Sequence, residues 1–136
     1  MSGLASTLSI PIAAVAAWLL GAVWYSVFSE TWLGALGKTR AELVGATGKP
    51  SPLPFALSFA AELVMATVVA ILVARLGMTS AAGGMSIGIM AWVGFVATTL
   101  GVNHAYTAAK PELSLIDGGH WLVVLLVIGF IVGGLA

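Results

Sequence analysis

With 136 residues, 60% of them hydrophobic and only 7% charged, the chain falls far short of the roughly 25% charged residues of a soluble domain. Five Lys+Arg balance five Asp+Glu, which leaves no basic surface for nucleic acid and no acidic tail. Cysteine is absent, and with it disulfides, thiolate metal ligands and thiol catalysis.

A mean hydropathy of +1.12 on a chain of this length predicts an all-α fold, a four-transmembrane-helix bundle forming one polytopic membrane domain over residues 1–136. Spans of the length that crosses hydrocarbon fall at about 8–28, 53–76, 83–106 and 115–135, with the main loop at 29–52. The apolar N-terminal stretch lacks the positive n-region of a cleaved signal, since no Lys or Arg precedes Lys38. It reads as a retained span.

Span 1 carries Pro11 near its start, where a missing amide proton is tolerated. Ala13, Ala17 and Gly21 lie four apart and form a small-residue stripe for close helix packing. Its end is aromatic, with Trp24, Tyr25 and Phe28, then Trp32, the pattern of a belt at the headgroup level. Tyr25 is also a candidate donor to polar groups in the same leaflet.

The loop holds Lys38, Arg40 and Lys49 with Glu30 and Glu42. Thr39-Arg40-Ala41-Glu42 matches a capping box and predicts one or two interfacial helical turns, ended by Gly45 or Gly48. Pro50-Ser51-Pro52-Leu53-Pro54 predicts an extended entry into span 2.

Span 2 contains Glu62 as its only acidic residue and closes at Arg75 and Gly77. A carboxylate in hydrocarbon is costly, so it faces protein and takes a partner or a proton. Phe55, Ser58, Phe59 and Ala66 share its helix face. Two readings stand beside each other: a protonatable or cation-binding group, and a hydrogen-bonded carboxyl that fixes helix packing.

Span 3 opens with Gly84-x-x-x-Gly88, a close-contact pair. An unbroken helix puts Trp92, Val96, Thr99, Asn103 and Tyr106 on one stripe, with His104 about a hundred degrees around from Asn103. Ser114-Leu-Ile-Asp117 reads as the start of span 4, with Asp117 in its positive first turn. His120 and Trp121 follow one turn later, whereas Gly129 and Gly133 point the opposite way. Span 4 is thus expected to meet protein on two sides, and the glycine face predicts a homo-oligomer, with a dimer favoured.

Four alternating spans bring the ends of spans 1 and 3 and the starts of spans 2 and 4 into one leaflet. The candidate binding residues there are Tyr25, Ser58, Glu62, Asn103, His104, Asp117 and His120. Glu62 lies about 14 Å beyond Leu53 along the helix and His120 about 9 Å beyond Ser114, a graded path inward. Asp117 either orients the imidazole of His120 for proton transfer or only caps a helix beside an interfacial histidine. Asn103 and His104 either bond into the site or end span 3 at the headgroups. A metal site from Glu62, His104, Asp117 and His120 lacks any H-E-x-x-H or comparable spacing, and no metal or cofactor is expected. No nucleophile elbow, phosphate loop or dinucleotide fingerprint occurs, so no enzymatic activity is expected. Four of the five Lys and Arg lie on the side of the long loop; the positive-inside rule places that side in the cytoplasm and both termini outside.

Three stretches carry a family resemblance: Gly21-Ala-Val-Trp24-Tyr25-Ser26-x-Phe28 with Trp32 after it, Ile116-Asp117-Gly118-Gly119-His120, and the glycine-rich run from Gly83 ending in Ala91-Trp92-Val93-Gly94-Phe95. Over nearly its whole length the chain resembles a bacterial family of small four-span membrane proteins of unknown function. The resemblance implies a four-helix fold in the inner, cytoplasmic membrane and no activity. The expected function is transport or permeation of a small solute, cation or proton through a cytoplasm-facing polar pocket around Glu62. The alternatives are an accessory or scaffold subunit docking through small-residue helix faces, and a binder of a lipid or other hydrophobic ligand.

Overall fold

The computed structural model describes residues 3–136 and shows only helices and turns among them. In chain order these are α1 (Gly3–Val27), α2 (Ser29–Leu36), α3 (Arg40–Val44) with a 3-10 turn at Gly45–Thr47, α4 (Leu53–Leu76), α5 (Ala81–Ala91), α6 (Thr98–Tyr106) and α7 (Pro111–Gly134). A π-helical segment, Trp92–Ala97, joins α5 to α6 into one continuous rod. Four units are long and apolar enough to cross a membrane: Ser6–Val27, Leu53–Leu76, Ala81–Tyr106 and Pro111–Gly134.

Local boundaries differ from expectation at the prolines. Pro11 lies well inside α1 rather than near its start. Pro52 adopts a helical φ/ψ and caps α4, with Pro54 in the first turn, so the entry to this span is not extended up to that point. Pro111 occupies the first turn of α7, its fixed φ being suited to that place. The start signal expected at Ser114 therefore falls inside the helix, and Asp117 sits in its second turn. The capping box is present, with the Thr39 side chain accepting from Glu42 N and Glu42 accepting from Thr39 N. Sequence patterning missed α2, which ends at Gly37 in the left-handed conformation that glycine adopts without strain.

The bundle is arranged around α7. Of its most apolar window 44% is buried, against 11–22% for the other three spans, and it packs against α1, α4 and α5. Ala17 from α1, Ala66 from α4 and Val124 from α7 belong to one fully buried cluster, so the alanine stripe of span 1 is core. Along α5 and α7 the backbones themselves touch. A methyl group on Gly84 would strike the carbonyl of Gly129, one on Gly133 would strike that of Ser80, and one on Gly88 would lie 2.5 Å from the Leu125 carbonyl oxygen. Both glycine pairs are thus consumed within the chain. α7 does meet protein on two sides, but at Gly129 and Gly133 the protein is α5. That face is not free for a second copy, and the dimer expectation loses the residues on which it rested.

The π segment changes which residues of the third rod face inward. One extra residue per turn advances the helix phase by about 100°. Trp92 faces α7, yet Thr99, Asn103 and Tyr106, which an unbroken helix would place beneath it, are exposed, whereas His104 is half-buried.

Candidate functional site

Side-chain hydrogen bonds between spans concentrate at one end of the bundle. Trp24 Nε1 donates to the Ile116 carbonyl at 3.0 Å, and Trp92 Nε1 donates to the Gly118 carbonyl at 2.8 Å. Two indoles from different spans therefore grip α7 on carbonyls within its helical body. Glycine makes the grip possible. A Cβ at Gly119 would come within 2.9 Å of the Trp24 ring, whereas one at Gly118 would meet Trp92 only in ordinary contact at 3.8 Å, so the requirement lies at Gly119. Between them, Tyr25 donates its hydroxyl to Asp117 Oδ1 at 2.7 Å. The aromatic end of span 1 is thus a clamp on the Ile116–His120 stretch. An indole N–H at membrane depth needs an acceptor, and here each takes a backbone carbonyl of a neighbouring helix.

His120 completes this group without a hydrogen bond to Asp117. Its ring lies 4.9 Å from that of Tyr25 and 4.6 Å from that of Trp121. The residue is 5% exposed, and Nδ1 is buried with no hydrogen-bond partner. Gly21 makes room for the imidazole, since a Cβ there would lie 2.8 Å from Nε2. Asp117 is engaged by Tyr25, so the arrangement in which it orients the imidazole is not formed.

His120 borders a cavity of about 760 Å³. Its walls come from α1 (Trp18, Leu19, Gly21, Ala22, Tyr25, Ser26), from α2 (Ser29, Trp32, Leu33) and from the first turns of α4 (Pro54, Phe55, Ser58), with Arg40 contributed by α3. Most of this surface is aromatic or aliphatic. Trp18 Nε1 is tied to the Phe55 carbonyl at 3.0 Å, and its ring meets Phe59 edge-on at 5.8 Å. Leu19 and Phe55 also face the outside of the bundle, being 55% and 53% exposed. The cavity therefore reaches the lipid-facing surface between α1 and α4.

The other predicted site residues separate into two groups. Ser58 borders the cavity, as do Tyr25 and His120. Glu62, one turn deeper on α4, does not; it is 0% exposed, and neither carboxyl oxygen has a hydrogen-bond partner. The pocket expected around Glu62 comes no nearer on α4 than Ser58, one turn away, and Glu62 is sealed between helices. Asn103 is exposed, rotated outward by the π segment. His104 Nδ1 lies 2.7 Å from Ser114 Oγ and fastens α6 to α7, apart from the cavity. Among the described residues, no three His, Cys, Asp or Glu side chains converge as a metal would require. Trp18, Arg40 and Trp92 also belong to this end, although sequence patterning did not group them with the site. Trp18 and Trp92 carried a signal, since both lie far from any predicted boundary and each has an N–H to satisfy.

Four membrane-length helices clamped by indole-to-carbonyl bonds, with a lateral cavity at one end, define a small polytopic α-helical membrane protein. The chain belongs to a protein family of unknown function, DUF1761, whose model matches residues 8–133. No curated protein and no solved structure matches it.

Proposed function

We propose that the protein binds a hydrophobic or amphiphilic small molecule in the cavity between α1, α2 and α4. The observation that carries this reading is the cavity itself. Its volume of about 760 Å³ falls in the range of small-molecule sites, and like them it has mostly apolar walls with a few polar groups. Its opening between two lipid-facing helices supports entry from the bilayer. The basic residues Lys38, Arg40, Lys49 and Lys110 at the same end support a cytoplasmic position for it. Ala22 is exposed and lines the cavity, so Ala22→Trp fills it without disturbing the core. Native mass spectrometry of protein purified in a mild detergent should show one small molecule retained by the wild type and none by Ala22→Trp. Equal retention by the two proteins would overturn the reading.

Glu62 favours a second reading, movement of a proton or small cation. A sealed carboxyl with both oxygens bare, in the middle of a span, is expensive to keep and rare without a role. The half of the bundle beyond it is closed by aliphatic side chains and the glycine contacts of α5 and α7, so conduction would require the helices to shift. In proteoliposomes, Glu62→Gln should abolish proton or cation flux while the protein stays folded. Unchanged flux excludes Glu62 as the carrier group.

A further inference from the structure

We propose that the occupant of the cavity is an anionic phospholipid of the surrounding leaflet, held by Arg40 at its phosphate and by the α1–α4 groove along one acyl chain. This rests on the cavity-binding reading above and specifies the class of ligand. Charge decides the class. Among the described residues, Arg40 is the only Lys, Arg, Asp or Glu on the cavity wall. The nearest acid on α3, Glu42, gives one carboxyl oxygen to the amide of Thr39 in the capping box and, two residues along the helix, does not share a face with Arg40. The guanidinium is therefore available to a ligand, and its planar fork matches two phosphate oxygens.

Position points the same way. Arg40 opens α3 in the connection between the first two spans, close in sequence to Trp32, and both residues border the cavity. Basic and indole side chains at the ends of spans sit at the headgroup level, where lipid phosphates lie. From that level the cavity runs inward past Tyr25 and Phe55 to Trp18, Ser58 and His120. This is a path for a chain that enters from the side, because Leu19 and Phe55 belong both to the cavity and to the lipid-facing surface. A soluble anion would gain nothing from these apolar walls, and a neutral hydrocarbon nothing from Arg40.

The test uses the full chain in nanodiscs of phosphatidylglycerol or phosphatidylcholine, transferred to native mass spectrometry, with wild type, Arg40→Gln and Ala22→Trp compared. The expected result is one retained phosphatidylglycerol on the wild type, with phosphatidylcholine retained at least about fivefold less. Arg40→Gln should lose that preference. Fivefold corresponds to the ~1 kcal/mol that one basic residue supplies at an anionic surface. Ala22→Trp should lose both lipids. Equal retention of the two lipids by wild type, or an unchanged preference in Arg40→Gln, overturns the inference while Ala22→Trp sensitivity leaves the cavity reading standing. Retention of a free fatty acid in place of phospholipid overturns the choice of occupant. Lipid retention unaffected by Ala22→Trp overturns both.

Discussion

Tyr25 shows how much a single side chain adds once its partner is known. From sequence it belongs to an interfacial belt with a second possible role as donor; in the fold it is bonded to Asp117, half-buried on the flank of α7. Tyr25→Phe leaves that carboxylate without its hydroxyl and should cost about 1–3 kcal/mol of stability, read as a lowered midpoint of thermal unfolding in detergent. Combining it with Asp117→Ala should cost less than the sum of the two single changes, because both remove the same bond; additive losses would mean that the bond contributes nothing. At this scale the sequence showed which residues were out of place in a membrane, and the fold brings Tyr25, Asp117, Ser58 and His120 to one end. The sequence left the pairing open, with Asp117 either beside His120 or only capping a helix, and in the fold Asp117 accepts from Tyr25. Pairing depends on which atom reaches which, and Glu62, expected to have a partner, touches none of its candidates closely enough to bond.

Among the elements, α5 and α7 carry the strongest constraint, since their backbones meet with no side chain between them. Gly84→Leu must push the helices apart, at a cost of about 1–3 kcal/mol or more, and should give protein that aggregates or elutes broadly by size exclusion. Gly101 has nothing within 4 Å of the position its Cβ would take, and Gly101→Leu should leave the elution profile unchanged. If Gly84→Leu merely changed a sharp dimer peak into a sharp monomer peak, the glycines would be serving an interface between copies. The glycine spacings of spans 3 and 4 were legible as close-contact signals. That they meet each other was not, because each motif advertises a small face without naming its partner. The helical wheel failed in span 3 for a different reason. It assumes a constant 100° step, and the π segment breaks that step between Trp92 and Thr98, sending Asn103 outward.

Over the whole molecule, two ends are built on different principles. One is held by indole, phenol and imidazole contacts and contains the cavity; the other is held by aliphatic packing and bare backbone. The number of spans and this asymmetry followed from hydropathy and from where polar residues fall along alternating helices. The central position of α7 did not. All four spans are similarly apolar, and hydropathy says nothing about which of them the others surround.

That centrality bears on how the protein is made. α7 follows α1, α4 and α5 in the chain, so it leaves the ribosome after all the helices that it joins. During synthesis the earlier spans must each reside in lipid with the faces destined for α7 still unmatched, Gly84 and Gly88 among them. The nearly uniform apolar character of these helices suits such a waiting period, since lipid can solvate any side of them. The buried acid of α4 is the exception. Glu62 is fully buried in the finished bundle, so assembly of the helices takes this carboxyl out of contact with lipid.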